Sequence, residues 1–247
     1  MAALPILQTR LSVAAEERAI RQHIKDAEAV LMRTELKAMR RVLRRLGHLS
    51  EEGIILNKGR VACELSTAHE LITTELVFSG LLNELEPNAL AALLSCLVCE
   101  GKGASKGGQG GKGGGKSGAP PDAASLIKTK TMLAPFERLR EHARRVASTM
   151  EECRVEVDPK EFVEKEVSPD LLDAVVEWCD GAKFADIAQS HEFYEGTIIR
   201  AFHRLEELLR QLIDASKVVG NEELAERCNA ARKLLVRDVV FAASLYT

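Results

Sequence analysis

Apolar residues recur at every third or fourth position through most of this 247-residue chain, and that repeat limits its fold more than any other feature. The repeat is most regular over residues 12–47 and 194–217. A strand with one buried face alternates every second residue, whereas this period is that of an amphipathic α-helix. Aromatic residues, which favour strands, make up only 4% of the sequence. The sequence therefore predicts an all-α protein, a helical bundle with one long helix over 194–217.

Further helices are expected between helix-stop signals such as Gly181 and Gly220. One region breaks the helical period, because Ile54, Ile55 and Leu56 lie together beside a glycine-containing turn at 57–59. This pattern predicts a short extended segment near 54–65. The other predicted helices cover about 67–80, 87–99, 125–152, 169–179, 183–189 and 221–244.

Residues 101–124 form a low-complexity stretch that is rich in glycine and lysine. Ten of the 17 glycines of the chain lie between residues 101 and 118. A stretch of this composition cannot bury enough apolar surface to offset the entropy of ordering its backbone. We therefore predict a disordered Gly/Lys-rich loop.

The Gly/Lys-rich loop contains a formal match to the P-loop of nucleotide-binding proteins, in which four residues separate Gly110 from the Gly-Lys-Ser triplet at 115–117. A working P-loop follows a strand and opens a helix at its lysine. Here a helix precedes the match and the proline pair 120–121 follows it. We interpret the match as a product of composition. A second interpretation is a flexible basic loop that contacts a phosphate backbone without specificity.

The formal net charge of −3 averages over segments of opposite sign. Basic residues predominate in 1–60 and 101–145, and acidic residues predominate in 61–100 and 146–247. A polyanionic partner is therefore not excluded. No stretch reaches the roughly 18–20 apolar residues of a membrane span. The first 20 residues also lack the features of a signal peptide, so we expect an intracellular protein without membrane contact.

Cys96 and Cys99 have the two-residue separation that is common in metal sites. A tetrahedral zinc site needs four ligands, but the sequence has no second pair of this kind and its six histidines are dispersed. We interpret the two residues as core thiols on successive helical turns and predict no metal ion or cofactor in this chain. No catalytic triad or paired-carboxylate motif is evident either. The residues alone thus indicate a helical interaction module.

Two rows of polar residues are candidates for nucleic-acid contact. Arg40, Arg41, Arg44 and Arg45 cluster near the end of the first predicted helix, where they also complement the helix dipole. On the 194–217 helix four side chains are spaced by four, three and four residues and therefore share one face. Arginine can pair with phosphate or stack on bases, and Glu and Gln can accept hydrogen bonds from base amines. These four residues are Arg200, Arg204, Glu207 and Gln211.

Two other functions remain open for the same sequence. The first is a helical scaffold that binds proteins, in which the Arg/Glu face is only a salt-bridged solvent face; spacing alone favours it. The second is a DNA reader, because residues 170–203 have a helix-turn-helix pattern. Its final helix, however, begins with Tyr194 and Glu195, and an acidic start would repel phosphate.

Several segments, taken in order along the chain, resemble the C-terminal helical (DSHCT) domain of the exosome-assisting superfamily-2 DExH RNA helicases. The resemblance covers about 49–247, with 101–124 as an insertion, and residues 1–48 resemble the returning end of a helical stalk whose partner helix is missing. The segments are KGRVACEL (58–65), ELITTELVFSG (70–80), ALLSCLV (92–98), VVEWCDGAKFADI (175–187), YEGTIIRAFHRLEELLRQ (194–211), VGNEELAER (219–227) and RDVVFAASLY (237–246).

The resemblance implies that the 194–217 helix is the family's ratchet helix, which contacts single-stranded RNA as it leaves the motor domains. The family's contacting arginine and glutamate fall on Arg204 and Glu207, with Arg200 one turn earlier and Gln211 one turn later. The family commonly has arginine where this chain has His203, so no contact is carried over to that position. The resemblance therefore favours RNA contact over a plain salt-bridged face.

The resemblance also implies partners and a cellular role. The expected partners are single-stranded RNA, helicase motor domains in cis, and the RNA exosome with its adaptor proteins. ATP and Mg²⁺ are implied only for the motor domains, whose motifs are absent from these 247 residues. The chain is then either a fragment of a longer RNA helicase or an independent chain that kept the RNA-path and docking surfaces, and we expect no ATP hydrolysis by the chain alone. We favour the fragment, because the helix at 12–47 lacks its stalk partner. The sequence of the long helix favours the nuclear or nucleolar branch of the family, with the cytoplasmic branch as the alternative.

Overall fold

The computed structural model describes residues 3–99, 123–191 and 193–241, and within them the chain is all-α, as predicted. The described residues contain no β-strand, and Leu49 and Ile55 form an isolated antiparallel bridge. The α-helices are α1 (Ala3–Arg45), α2 (Asn57–Glu64), α3 (Glu70–Ser79), α4 (Leu81–Glu84), α5 (Pro87–Val98), α6 (Leu133–Glu152), α7 (Pro159–Glu166), α8 (Leu172–Cys179), α9 (Phe184–Ser190), α10 (Glu195–Val218) and α11 (Glu222–Leu235). Short 3-10 turns cover Ala123–Leu126, Lys130–Met132 and Val239–Phe241.

The centre of the bundle is α5, which carries no charged side chain and is buried from Leu90 to Val98. It packs against α8, α10 and α11. Pro87 occupies the first turn, where its missing N–H costs no hydrogen bond. A helix that is apolar on every face is stable only when neighbours surround it, and this arrangement supplies them.

Helices α10 and α11 form a hairpin that encloses α5 from one side. Gly220 turns the chain with a φ of +72°, and the side chain of Asn221 accepts a hydrogen bond from the Leu224 N–H at 3.1 Å. The helix stop predicted at Gly220 is therefore present, and Asn221 caps the start of the next helix. No helix among the described residues is both long and apolar enough to cross a membrane.

Among the described residues, helix α1 joins the bundle through its last turns. Ala38, Val42 and Leu46 are the buried residues at this end, which packs against α6, and Arg45 forms an ion pair with Glu152 at 2.9 Å. Apolar side chains earlier in α1, such as Ile24, are exposed. The helix predicted over 12–47 is therefore present, and most of its described length has no packing partner among the described residues.

The extended segment predicted near 54–65 is wrong for its second half, because residues 57–64 form α2. The turn lies earlier, where the Ser50 N–H donates to the Ile54 carbonyl at 2.9 Å and Gly53 adopts a φ of +90°. Gly59 belongs to the helix, where the absence of a side chain lets α2 lie against the carbonyl of His48. A glycine needed for close packing was thus interpreted as a turn glycine.

Two other predicted helices are shorter than expected. Helix α6 begins at Leu133, because the carboxylate of Asp173 holds the N–H groups of Lys128 and Thr129 at 2.9 and 3.0 Å in a non-helical segment. Helix α11 ends at Leu235. Beyond it, Arg237 lies over the ring of Trp178, with 3.8 Å to the ring centroid.

The predicted disordered loop lies outside the described residues, except for 123–124. Those two residues begin a 3-10 turn.

Candidate nucleic-acid interface

Helix α10 separates its side chains into a buried stripe and a polar face. Eight of its apolar side chains are buried, and they pack toward α5 and α11. The remaining surface carries Arg200, Arg204, Glu207 and Gln211, which we call the α10 polar face. The buried apolar set is Ile198, Ala201, Phe202, Leu205, Leu208, Leu209, Leu212 and Ala215.

The two arginines of the α10 polar face differ in exposure. Arg200 is exposed, and its Nη2 lies 3.5 Å from the hydroxyl oxygen of Thr197 one turn earlier. Arg204 is half-buried, and its Nη2 donates to the backbone carbonyl of Thr67 at 3.3 Å. Thr67 lies in the loop between α2 and α3, so Arg204 connects α10 with a distant part of the chain.

Glu207 forms a forked ion pair with Arg210, in which both carboxylate oxygens lie 2.7 Å from Nη2. The hydrogen bonds from Arg210 hold the pKa of Glu207 below its ordinary value, and a further bond from Gln211 acts in the same direction. Glu207 is therefore an anion at neutral pH. The side chains of Arg210 and Glu207 are 59% and 36% exposed, so the pair contributes little to stability and its carboxylate is reachable from solvent.

Gln211 uses its whole amide within the protein. Its Oε1 accepts hydrogen bonds from the N–H groups of Ser66 and Thr67 at 3.0 and 3.2 Å. Its Nε2 donates to the hydroxyl of Ser66 at 3.0 Å and to Glu207 Oε1 at 3.1 Å. The structure thus brings three of the four predicted residues into one network, and Arg200 lies beyond it.

The contribution of Ser66 and Thr67 to this surface was not foreseen. Ser66 lies 145 positions before Gln211 in the sequence, and no periodic pattern relates the two segments. The only signal in the sequence is a Ser-Thr pair directly after α2, which is typical of any helix-flanking loop. Such a long-range contact becomes evident only in the folded chain.

His203 lies at the position where the related family commonly has arginine. In this chain it contacts the 3-10 turn that follows α11. Its Nε2 lies 3.0 Å from the carbonyl oxygen of Val240 and must donate its hydrogen, because a carbonyl only accepts. Its ring also packs on the ring of Phe241, with 4.7 Å between the centroids. His203 therefore fastens the 3-10 turn after α11 to α10.

The arginine cluster at the end of α1 has a different setting. Arg40, Arg41, Arg44 and Arg45 are all exposed, and Arg45 pairs with Glu152. Cations in this position stabilise the negative end of the helix dipole. The cluster lacks the linked hydrogen bonds of the α10 polar face in the part of the chain that the structure describes.

Helices α8, α9 and α10 follow one another as the helix-turn-helix pattern predicts. The first turn of α10, however, presents Glu195, and the exposed Tyr194 precedes it. An exposed carboxylate at this end disfavours the approach of a phosphate backbone.

The remaining candidate sites are also accounted for. Cys96 is fully buried, and burial raises the pKa of its thiol well above the ordinary value. Burial also raises the pKa of Cys179 and of Cys228 to about 12. Within the described ranges no three His, Cys, Asp or Glu side chains are grouped as metal ligands would be. The P-loop-like match at 110–117 lies outside the described residues.

Comparisons with known proteins place these features in a family. The model of the DSHCT (NUC185) domain matches residues 52–242. DExH-box ATP-dependent RNA helicase DExH9 of Arabidopsis thaliana is 37% identical over 243 residues, which are 98% of this chain and 23% of that protein. Exosome RNA helicase MTR4 of Homo sapiens is 37% identical over 242 residues, which are 98% of this chain and 21% of that protein.

Superkiller complex protein 2 of Homo sapiens is 35% identical over 241 residues, which are 98% of this chain and 18% of that protein. The chain thus spans roughly a fifth of the length of the relatives it matches.

Proposed function

The chain belongs to the DSHCT domain family of DExH RNA helicases, and on this premise we propose that it is the C-terminal helical module of an ATP-dependent RNA helicase. The helicase would act with the RNA exosome in RNA processing and decay. Supporting this role, one relative is named an exosome RNA helicase and another a superkiller complex protein. In this proposal the motor domains act in cis and bind ATP and Mg²⁺, and the 247-residue chain alone does not hydrolyse ATP.

The function proposed for α10 is to guide single-stranded RNA that leaves the motor domains. The observation that carries this proposal is the joint placement of Arg204 and Glu207 on one accessible edge of a helix whose other side is anchored in the core. A guanidinium can pair with a phosphate or stack on an unpaired base, and a carboxylate can accept from a base amine. Arg200 extends the same edge by one turn, and Gln211 closes its other end.

The charge of the surroundings supports transient contact. Residues 146–247 carry more acidic than basic groups, so the α10 polar face does not lie within a broad basic surface. Nucleic-acid affinity rises with the number of phosphates neutralised, and only a few arginines are available here. A small number of contacts suits a strand that must move along the helix rather than remain bound.

The proposed location is the nucleus or nucleolus, with exosome subunits and adaptor proteins as partners. What supports the nuclear branch over the cytoplasmic one is the sequence of the long helix over residues 194–217.

Binding of a fluorescein-labelled RNA of about 20 uridines to the purified chain tests the role of α10. We expect Arg204→Ala/Glu207→Ala to weaken binding about tenfold, as the loss of roughly 1.4 kcal/mol would. Glu17→Ala/Arg21→Ala is the matched control, because it removes the same two charges from an exposed helical ion pair of 2.6 Å on α1. Binding of the control variant should equal that of wild type.

Two outcomes would favour the other functions. Equal RNA binding by wild type and Arg204→Ala/Glu207→Ala would support a protein-binding scaffold with a salt-bridged face. Tighter binding to a duplex DNA of the same length than to the single strand would support a DNA reader.

A further inference from the structure

The amide of Gln211 has no unused hydrogen-bonding capacity. A glutamine side chain offers two acceptor positions on its oxygen and two donors on its nitrogen. Two backbone N–H groups occupy the oxygen, and a hydroxyl and a carboxylate occupy the nitrogen. An RNA base can therefore bind this amide only by displacing a bond that already exists. Because all four positions of the amide are occupied, Gln211 has a role within the protein rather than in direct contact with RNA.

One side of the amide acts on Arg204 through the loop. Because Oε1 accepts from the N–H groups of both Ser66 and Thr67, it fixes the peptide units of the α2–α3 loop against α10. The carbonyl of Thr67 then accepts from Arg204 at 3.3 Å. The Thr67 carbonyl thus contributes to the position of the Arg204 guanidinium, and this contribution depends on the loop staying in place.

The other side of the amide acts on Glu207 directly. Nε2 donates to Glu207 Oε1 at 3.1 Å, while Arg210 holds the same carboxylate from the next turn. Gln211 therefore contacts both the residue that orients Arg204 and the carboxylate of Glu207. No other side chain of the α10 polar face does so among the described residues.

We infer that Gln211 is a positioning residue, which seats the α2–α3 loop on α10 and so pre-orders Arg204 and Glu207 for single-stranded RNA. The inference rests on the proposed function of α10. Long side chains lose rotamer freedom when they bind, and a protein that has already ordered them binds more tightly. The loop at Ser66 and Thr67 becomes part of the RNA-contact surface because it forms the wall beside Arg204.

The test compares Gln211→Met, which keeps the length of the side chain and removes its hydrogen bonds, with Gln189→Met. Gln189 is an exposed glutamine on α9 and serves as the matched control. We expect Gln211→Met to weaken binding of the labelled oligouridine about five- to tenfold, in line with two or more lost hydrogen bonds. Hydrogen exchange of the Ser66 and Thr67 amides should accelerate in the same variant. Gln189→Met should change neither quantity.

A double-mutant cycle tests whether Gln211 acts on RNA binding through Arg204 and Glu207. If Gln211 acts through its two neighbours, Gln211→Met should change RNA affinity less than about twofold when Arg204→Ala/Glu207→Ala is already present. An equally large effect in that background would mean that Gln211 contacts RNA itself and would overturn the inference. The inference would also be overturned if Gln211→Met bound RNA as tightly as wild type while Arg204→Ala/Glu207→Ala bound it more weakly. That result would leave the proposed function of α10 intact. If neither variant weakened binding, both proposals would fail.

Gln211→Glu provides a second variant in case Gln211→Met does not fold. Its carboxylate still accepts from the Ser66 and Thr67 N–H groups but repels Glu207. We expect slow exchange of the loop amides together with weaker RNA binding. Unchanged RNA binding by Gln211→Glu would contradict the coupling between Gln211 and Glu207.

Discussion

Helices α1 and α10 have the same sequence pattern but opposite environments. Both are long and amphipathic, and both carry arginines at helical spacing. Helix α10 has its apolar stripe buried and its polar side chains tied to each other and to a distant loop. Helix α1 exposes Ile24 and Leu36, and its arginine cluster lies in solvent. Periodicity thus reports that a helix has two faces, but not what either face contacts.

The difference matters for function because it shows that a surface can carry many charges without holding their side chains in place. The α1 cluster contains more arginines than the α10 polar face, yet among the described residues the Arg45–Glu152 contact is the only ion pair that these arginines form. On α10 a carboxylate, an amide and a backbone carbonyl set the positions of the cations. We expect organised groups to select a ligand, whereas exposed arginines supply only salt-sensitive attraction.

The largest expected effect comes from the buried stripes. Phe202→Ala on α10 removes a fully buried ring and should lower the free energy of unfolding by about 3–5 kcal/mol. Ile24→Ala on α1 removes a side chain that is 53% exposed and should change that free energy by no more than about 0.5 kcal/mol. Urea unfolding followed by circular dichroism measures both. Equal losses would show that α1 is packed as tightly as α10.

The next largest effect on stability is expected at the junction of α1 with the bundle. A Cβ atom at Gly59 would lie 2.5 Å from the carbonyl oxygen of His48, so Gly59→Ala should destabilise by about 1–3 kcal/mol although alanine favours helices. Gly196→Ala at the start of α10 meets nothing within 4 Å and should be neutral or stabilising by up to about 1 kcal/mol. Thermal unfolding distinguishes the two, and a stabilising Gly59→Ala would refute the close contact.

Acid should loosen the same junction. His48, which follows α1, is 1% exposed, and burial is the main cause that lowers its pKa from 6.5, with Lys58 adding to the shift and Glu75 opposing it. Since the unfolded chain binds this proton more readily, the contribution of His48 is complete above pH 6.5 and is lost as the pH falls below it. The slope is at most about 1.4 kcal/mol per pH unit. Burial likewise lowers the pKa of His142 on α6.

Melting temperatures between pH 7.5 and 5.5 measure this dependence. The temperature should fall toward pH 5.5 in the wild type and fall less in His48→Leu. Identical pH profiles for the two proteins would show that His48 does not report on the junction.

The smallest effect is expected from the α1 arginine cluster. Arg40→Ala/Arg44→Ala should weaken oligouridine binding by less than about twofold at physiological salt, because exposed cations add only screened attraction. Fluorescence anisotropy measures the change beside that of Arg204→Ala/Glu207→Ala. A larger loss of RNA affinity in the α1 variant than in the α10 variant would show that the α1 arginine cluster, rather than the α10 polar face, is the main RNA contact.

Local patterns predicted most of the helices, though not α2, α4 or α7, and they did not predict the contacts between helices. The stripe from Ile198 to Leu212 located α10, and Gly220 with Asn221 located its end. The start of α6 was missed because Asp173, 44 residues from Thr129, decides where that helix begins. The α2–α3 loop was missed as part of the candidate interface for the same physical reason. Tertiary hydrogen bonds over such distances leave no periodic trace in a single sequence.

Crosslinking tests the role of α10 most directly. A single-stranded RNA of about 20 nucleotides that contains 4-thiouridine is irradiated with the chain, and the attached peptides are identified by mass spectrometry. Crosslinks should map to residues 200–211 and to the α2–α3 loop, and Arg204→Ala/Glu207→Ala should remove most of them. Crosslinks confined to α1 or to residues 101–122, with none on α10, would contradict the proposal that this helix guides RNA.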